Sequence, residues 1–113
     1  MGKAQRDKGA RFERELVNTA KAHGLDAKRV PLSGAAEGFK NDVLIDAGGV
    51  TWAIEAKKRG AGFKFIYDNL DGADVLVIGA DRQPALAVLN YGDFCDLLAG
   101  RFCADKILSL IHI

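Results

Sequence analysis

The hydrophobic positions of the chain change their spacing several times, and each change predicts a new element. Over residues 7–23 apolar side chains recur at intervals of three and four, which predicts an amphipathic helix. Asp7 is a suitable cap for its start, and Gly24 stands where a glycine commonly ends a helix. Residues 25–30, LDAKRV, predict a short strand, and 31–38, PLSGAAEG, predict a loop.

The remaining residues alternate in shorter runs, separated by turns that contain glycine or proline. They predict the order α-β-β-β-α-β-β-α, which is typical of an α/β fold. The tail at 106–113, KILSLIHI, fits a strand or a helix, and its spacing does not decide between them. The other predicted elements are strands at 41–46 and 50–57 joined by AGG, a helix at 62–70, strands at 73–79 and 85–90 around the turn ADRQP, and a helix at 91–100 that Gly100 ends.

Composition narrows the class of protein. A chain of 113 residues, 49% hydrophobic and 27% charged, is expected to form a single globular domain over 1–113. No apolar run approaches the roughly 20 residues of a membrane span, and the N-terminal stretch lacks the apolar region of a secretory signal. We therefore expect a cytoplasmic protein without membrane contact. Cys95 and Cys103 are expected to be reduced thiols and not a structural disulfide.

The net charge of +1 hides an uneven distribution. Residues 1–64 carry 13 Lys or Arg against 8 Asp or Glu, whereas residues 65–113 carry 3 against 7. A basic first half on a nearly neutral chain indicates a face that binds a polyanion. A solvated N-terminal helix would produce the same imbalance, and charge alone does not choose between the two.

Two carboxylates stand inside the strands on either side of the AGG turn. If residues 47–50 form a four-residue hairpin loop, Asp46 pairs with Thr51 and Asp42 lies opposite Glu55. Residues two apart in a strand share a face, so both side chains then leave the same face, with their Cβ atoms about 5 Å apart. A shift of the register by one residue would place them on opposite faces.

Two carboxylates at that distance repel each other unless a positive charge lies between them. Mg²⁺ is a suitable partner, because it binds carboxylate oxygens, backbone carbonyls and water. Lys57 follows Glu55 on the same face, where its ammonium group would orient a nucleophilic water or offset charge on a phosphate. The alternative is a surface hairpin with scattered charges, since so short a pattern occurs often by chance.

The first helix offers a third acidic residue. On a helical wheel Glu13 falls inside the apolar arc, whereas Glu15 falls outside it. A carboxylate directed at the core needs a partner, and this partner is either a cation such as Arg29 or the metal of the Asp42 and Glu55 site. We favour the metal. The apolar arc consists of Phe12, Leu16, Val17 and Ala20.

These residues carry a family resemblance. The segments KGARFERELV, KRVPLSG, NDVLID and AIEAKK, in this order between residues 8 and 58, resemble the archaeal-type Holliday junction resolvases of the PD-(D/E)XK nuclease superfamily, which phages also carry. The resemblance implies a PD-(D/E)XK nuclease-like fold, in which helices flank a central mixed β-sheet. It further implies a homodimer that cuts four-way DNA with Mg²⁺ or Mn²⁺. The implied catalytic set is Glu13, Asp42, Glu55 and Lys57, with Arg14, Arg29 and Ser33 near the phosphodiester.

The expected activity is hydrolysis of DNA phosphodiesters in branched DNA. Glu13, Asp42, Glu55 and the carbonyl of Ala56 are the predicted metal ligands. A set of basic side chains is expected to bind the phosphates of the DNA backbone. Such contacts provide affinity but do not distinguish one base from another. This set consists of Lys3, Arg6, Lys8, Arg14, Arg29, Lys58 and Arg59.

Other functions remain open from the sequence. A related nickase or flap nuclease would use the same catalytic residues, and an inactive DNA-binding module would share the basic half. A protein-interaction domain would leave the basic half unexplained. For a dimer, the expected interface is the apolar surface of the helices near 63–70 and 91–99. Its predicted members, which would otherwise simply cover the sheet, are Phe63, Ile66, Phe94 and Leu97.

Overall fold

The structure is a computed structural model, and it describes residues 2–30 and 42–101. The described elements follow the predicted order of three helices and five strands. The predicted loop at 31–38 and the tail at 106–113 lie outside the described residues. In chain order the elements are α1 (Lys3–Ala22), β1 (Asp26–Arg29), β2 (Val43–Ala47), β3 (Val50–Ile54), α2 (Lys64–Leu70), β4 (Val75–Ile78), β5 (Leu86–Leu89) and α3 (Tyr91–Leu98).

Helix α1 is longer than its sequence pattern predicted. It begins at Lys3 and not at Asp7, and its N-cap, Gly2, makes no side-chain capping bond. The residues from Lys3 to Asp7 include good helix formers and no helix breaker, so the helix extends over them. They are mostly polar and show no periodic spacing of apolar residues, so the sequence pattern did not reveal this part of the helix. Its end was predicted correctly, because Gly24 follows with φ of 83°, a conformation that glycine adopts readily.

The first three strands form an antiparallel sheet in the order β1-β2-β3. Gly48 and Gly49 make the tight turn between β2 and β3, with φ of 59° and 77°. Both positive angles favour glycine and are typical of a two-residue hairpin turn. Asp46 pairs with Thr51, as predicted. Ala47 pairs with Val50, so the turn contains two residues in place of the predicted four-residue loop at 47–50.

The core lies between α1 and one face of this sheet. Val43 and Ile45 of β2 are fully buried, and Ala20 of α1 is fully buried against them. The intervening Leu44 is only half-buried and Asp46 is exposed, so β2 alternates between an apolar and a polar face as its sequence predicted. The other core residues are Val17, Leu25, Ala27 and Cys95.

The second half of the chain adds a hairpin and two helices. Strands β4 and β5 pair with each other in a separate antiparallel sheet. The predicted turn between them forms at Ala80–Pro84, where the Gln83 amide donates to the Ala80 carbonyl at 3.1 Å. Helix α3 is capped by Asn90, whose side chain accepts from the Gly92 amide at 2.8 Å, and it packs on α1 through a hydrogen bond from the Tyr91 hydroxyl to the Leu16 carbonyl.

The predicted α/β fold and its element order are confirmed, but the sheet differs from the prediction. Among the described strands the pairs are all antiparallel and form two sheets, in place of one central mixed sheet. For the β2–β3 and β4–β5 pairs the reason is local, since the glycine turn and the turn at 80–84 are too short for anything but antiparallel hairpins. No helix among the described residues is long and apolar enough to cross a membrane.

Cys95, a residue of α3, is fully buried and forms no disulfide within the described residues. Burial raises the pKa of its thiol, which keeps it protonated and unreactive near neutral pH. Burial also raises the pKa of the neighbouring Tyr91 phenol. Cys103 lies outside the described residues, so the predicted absence of a disulfide stays a prediction.

Candidate active site at the open end of the β2–β3 hairpin

Asp42 stands at the end of the hairpin opposite the glycine turn, where three segments of chain meet. Its carbonyl accepts from the Val30 amide at 2.9 Å, which extends the β1–β2 ladder by one pair. Its own amide donates to the Ile54 carbonyl at 3.0 Å, and its carboxylate Oδ2 accepts from the Ala56 amide at 2.8 Å. Asp42 therefore holds the ends of all three strands together.

The carboxylate of Asp42 also explains why β3 is shorter than predicted. The prediction extended this strand to Lys57, but it ends at Ile54. The Ala56 amide donates to the Asp42 side chain and not to a neighbouring backbone, so the regular ladder stops there. Residues 55–59 then continue without regular structure.

Glu55 and Lys57 follow directly after β3. Continuing the β2–β3 register by one pair places Glu55 opposite Asp42, although regular pairing has ended at that point. The Lys57 Nζ lies 3.7 Å from Glu55 Oε1. The Lys57 side chain is 66% exposed and that of Glu55 is 48% exposed, so both groups are accessible to a substrate at the surface. The same exposure makes their mutual attraction weak.

Glu13 and Glu15 are held by different cations. Glu13 Oε1 accepts a hydrogen bond from Arg29 Nε at 3.0 Å and forms an ion pair with Nη2, also at 3.0 Å. The Glu13 side chain is only 19% exposed. Glu15 is 55% exposed and lies 3.9 Å from Lys58. The predicted difference in their exposure is confirmed. The sequence left two partners open for Glu13, Arg29 or a metal ion, and favoured the metal. In the structure its partner is Arg29.

The Glu13–Arg29 pair adjoins the Asp42 end of the sheet. Arg29 is paired with Val43 across the β1–β2 ladder, and Val30, the next residue, bonds to Asp42. Helix α1 thus brings Glu13 to the same end of the sheet as the carboxylates of the hairpin. Within 2–30 and 42–101, however, no three His, Cys, Asp or Glu side chains form a group that could hold a metal ion.

The chemistry of the donor groups nevertheless suits a hard divalent cation. Asp42 uses Oδ2 for the Ala56 amide and keeps its second carboxylate oxygen for a further ligand. The exposed carboxylate of Glu55 and the carbonyl of Ala56 are oxygen donors of the kind that Mg²⁺ and Mn²⁺ prefer. Glu13 is the exception, because Arg29 already neutralises its charge.

The predicted phosphate-binding residues come from three segments of the chain. The residues on α1 are all exposed, and they are Lys3, Arg6, Lys8 and Arg14. Arg29 ends β1, and Lys58 and Arg59 follow the catalytic candidates. The Lys58 Nζ stands 5.2 Å from the centre of the Phe12 ring, and the Arg59 guanidinium carbon 5.7 Å from that of Phe63. Ser33 lies outside the described residues.

Phe12 and Phe63 are site residues that the sequence did not reveal in this role. Their rings hold two of the predicted DNA-binding cations by cation–π contact. Phe12 was assigned to the apolar arc of α1 and Phe63 to a dimer interface. Arg59 and Phe63 are only four residues apart, so their spacing was a signal available in the sequence. Phe12 and Lys58 are far apart in the chain, and their contact had no such signal.

Comparison with known families agrees with this arrangement. The family profile of the archaeal Holliday junction resolvases (Hjc) matches residues 4–78, more than half of the chain. The matched range contains Glu13, Asp42, Glu55 and Lys57. No curated protein and no solved structure matches the chain. Resolvases of this family are nucleases that bind branched DNA and generally depend on a divalent metal. The chain therefore belongs to the archaeal Holliday junction resolvase family, and its general function is that of a nuclease acting on Holliday junctions.

Proposed function

We propose that residues 1–113 form one nuclease domain that cleaves four-way DNA junctions in a reaction dependent on Mg²⁺ or Mn²⁺. The observation that carries the proposal is the placement of Asp42 and Glu55 at the same end of one hairpin, with Lys57 beside Glu55. The contact of the Asp42 carboxylate with the Ala56 amide orients this end of the hairpin and supports the same assignment.

In this proposal Asp42, Glu55 and the Ala56 carbonyl hold the ion, and Glu13 contributes from α1. The chemistry supplied by a bound divalent ion is Lewis-acid activation of water and neutralisation of phosphate charge. Lys57 places an exposed ammonium group next to Glu55. It orients the attacking water and offsets the charge that develops on the phosphate, where a fixed positive group has its largest effect on rate.

Glu13 has to be shared between Arg29 and the ion in this proposal. Arg29 is 40% exposed, so its guanidinium remains accessible to a DNA phosphate while it holds Glu13. A phosphate that binds Arg29 draws positive charge away from Glu13 and leaves the carboxylate available. The Glu13–Arg29 pair is then the arrangement of the site before DNA binds.

The basic residues on α1 and after β3 bind the DNA backbone. Lys8 and Arg14 project from α1, and Lys58 is placed between Glu15 and Phe12. Contacts of this kind read the path of the phosphates and not the bases, which suits an enzyme that recognises DNA shape. Arg29, Ser33 and Arg59 complete the proposed DNA-binding set.

The metal and substrate requirements are tested together. We expect the chain to cut a labelled four-way junction in Mg²⁺ or Mn²⁺, and to bind it without cutting in Ca²⁺ or EDTA. The measurement is gel analysis of four-way, flap and linear duplex DNA in each buffer. Faster cutting of the flap would favour the related structure-specific nuclease. Binding without cutting in every buffer would favour an inactive module and contradict the proposal.

A homodimer follows from the same proposal, since a four-way junction presents paired scissile strands and a two-fold dimer offers two sites. The predicted interface residues divide in the structure. Leu97 is 50% exposed, but Phe63, Ile66 and Phe94 are half-buried, and Phe94 packs edge-on against Trp52. We expect light scattering to give the mass of two chains per bound junction at micromolar concentration. One chain per junction would contradict the dimer.

A further inference from the structure

A pocket that combines aromatic rings with basic side chains lies beside Lys57. We call it the basic–aromatic pocket, and its volume is ≈ 490 Å³. It is formed where α1, the segment after β3 and the start of α2 meet. Its cations are Lys57, Lys58, Arg59 and Lys64, and its rings are Phe12, Phe63 and Tyr67.

The rings of this pocket differ in what they already contact. Phe12 lies under Lys58 and Phe63 lies under Arg59, so each presents one face to a cation. Tyr67 projects from α2 with 72% of its surface exposed. An exposed ring beside cations is a stacking surface, because a nucleobase gains by covering its apolar face while phosphates meet the cations.

The loop between the cations and α2 keeps the pocket open. Gly60, Ala61 and Gly62 line it and are exposed, and Gly62 adopts a φ of 108° that side-chain-bearing residues rarely adopt. A Cβ atom added at Gly60 or Gly62 would meet nothing within 4 Å. Among the described residues these glycines therefore leave this wall of the pocket open.

The pocket is basic, whereas the groove next to it is acidic. An adjoining groove shares Lys57, Phe63 and Tyr67 with it but continues along Asp68, Asp71 and Asp74. Lys64 is paired with Asp68 at the boundary between the two. Phosphate is repelled by the acidic groove and attracted by Lys57 and Lys58, so a nucleic acid strand is expected to enter from the side of the catalytic candidates.

We infer that the basic–aromatic pocket binds one unpaired nucleotide of the substrate, with its base stacked on Tyr67 and its phosphate held by Lys57 and Lys58. The inference rests on the proposed function for its biological substrate, because unpaired or unstacked bases occur where DNA strands branch. Since Lys57 lines both the pocket and the candidate active site, the bound nucleotide lies next to the scissile phosphate. The pocket thus recognises a branch point by a base released from the helix and not by sequence.

The experiment uses the full chain in EDTA, where no cleavage occurs. The probes are two single-stranded pentanucleotides, one with 2-aminopurine at its centre and one with an abasic site there. Tyr67→Ala is compared with Phe65→Ala, which removes a ring of similar exposure, 69%, from the same helix but outside the pocket. Binding is measured by fluorescence anisotropy, and stacking by quenching of the 2-aminopurine.

We expect Tyr67→Ala to weaken binding of the 2-aminopurine probe about 5- to 150-fold, the range that stacking of one base provides, and to abolish the quenching. The abasic probe should bind the unaltered chain as weakly as the base-containing probe binds Tyr67→Ala. Phe65→Ala should bind both probes as the unaltered chain does.

The inference is overturned if the abasic and base-containing probes bind the unaltered chain equally, or if Phe65→Ala and Tyr67→Ala lose equal affinity. Junction cleavage in Mg²⁺ by the unaltered chain is assayed separately. If Tyr67→Ala binds the probes as the unaltered chain does, and the unaltered chain cuts junctions, only the inference about the pocket is contradicted. A Tyr67-dependent probe affinity in a chain that cuts no branched DNA supports the pocket and contradicts the proposed nuclease specificity.

Discussion

Asp42→Asn is expected to slow junction cleavage on the order of 10³-fold, because it removes a charged oxygen from the proposed metal site. The fold should survive, since the Asn side-chain oxygen can still accept from the Ala56 amide as the carboxylate does at 2.8 Å. Junction binding should be kept, because that affinity comes from the basic residues. The measurement is the single-turnover rate on a labelled junction in Mg²⁺, beside a binding titration in Ca²⁺.

Asp46→Asn is the matched control for this variant. Asp46 lies on the same strand and alternates to the same face, but it is exposed near the glycine turn and accepts from the Thr51 hydroxyl at 2.6 Å. Its substitution should leave the cleavage rate within about twofold, as surface changes usually do. Equal cleavage by Asp42→Asn and Asp46→Asn would show that Asp42 is not an active-site residue. Its role would then be to hold the strand ends together.

Glu13→Gln is expected to slow cleavage on the order of 10²-fold or more while junction binding is kept or tightened. Gln retains an oxygen that accepts from the Arg29 guanidinium, so the contact between α1 and β1 persists in neutral form. What is lost is the charge that the proposed site uses in catalysis. Binding is expected to tighten because Arg29 is no longer neutralised and one carboxylate fewer faces the phosphates.

Glu15→Gln tests whether the Glu13 effect is specific. Glu15 also contacts a cation, Lys58, but at 3.9 Å and with 55% of its side chain exposed. Its substitution should change the single-turnover rate little. If both variants cut at the rate of the unaltered chain, Glu13 serves only to hold Arg29. If Glu15→Gln is the inactive variant, the catalytic face of α1 is the one that carries Glu15 and contacts Lys58.

The register of the β2–β3 hairpin is the part of the site that the sequence predicted most fully. Alternation placed Val43 and Ile45 on the buried face, and consecutive glycines set the turn, so Asp46 pairs with Thr51 as expected. Side-chain period and backbone conformation are local properties, and a one-residue slip would expose two fully buried residues. The same locality explains why the helix end before Gly24 and the turn at 80–84 follow from their sequence signals.

The ends of two elements did not follow from local pattern. Lys3 to Arg6 carry no apolar period, so nothing in their sequence distinguished helix from a solvated arm. The strand after Val50 was predicted to reach Lys57 because its alternation continues that far, but the Asp42 side chain binds the Ala56 amide and ends the ladder. This contact joins residues on different strands and competes with backbone pairing.

By itself the sequence determined the α/β element order, the hairpin register and the difference in burial between Glu13 and Glu15, because each depends on the spacing of neighbouring residues. Only the tertiary structure decided that Glu13 contacts Arg29, that Asp42 binds the Ala56 amide, and that the Phe12 ring contacts Lys58. These contacts join residues far apart in the chain, and they form when α1 and the first three strands pack together. Their geometry is set by how the apolar faces pack, and the order of residues along the chain does not contain it.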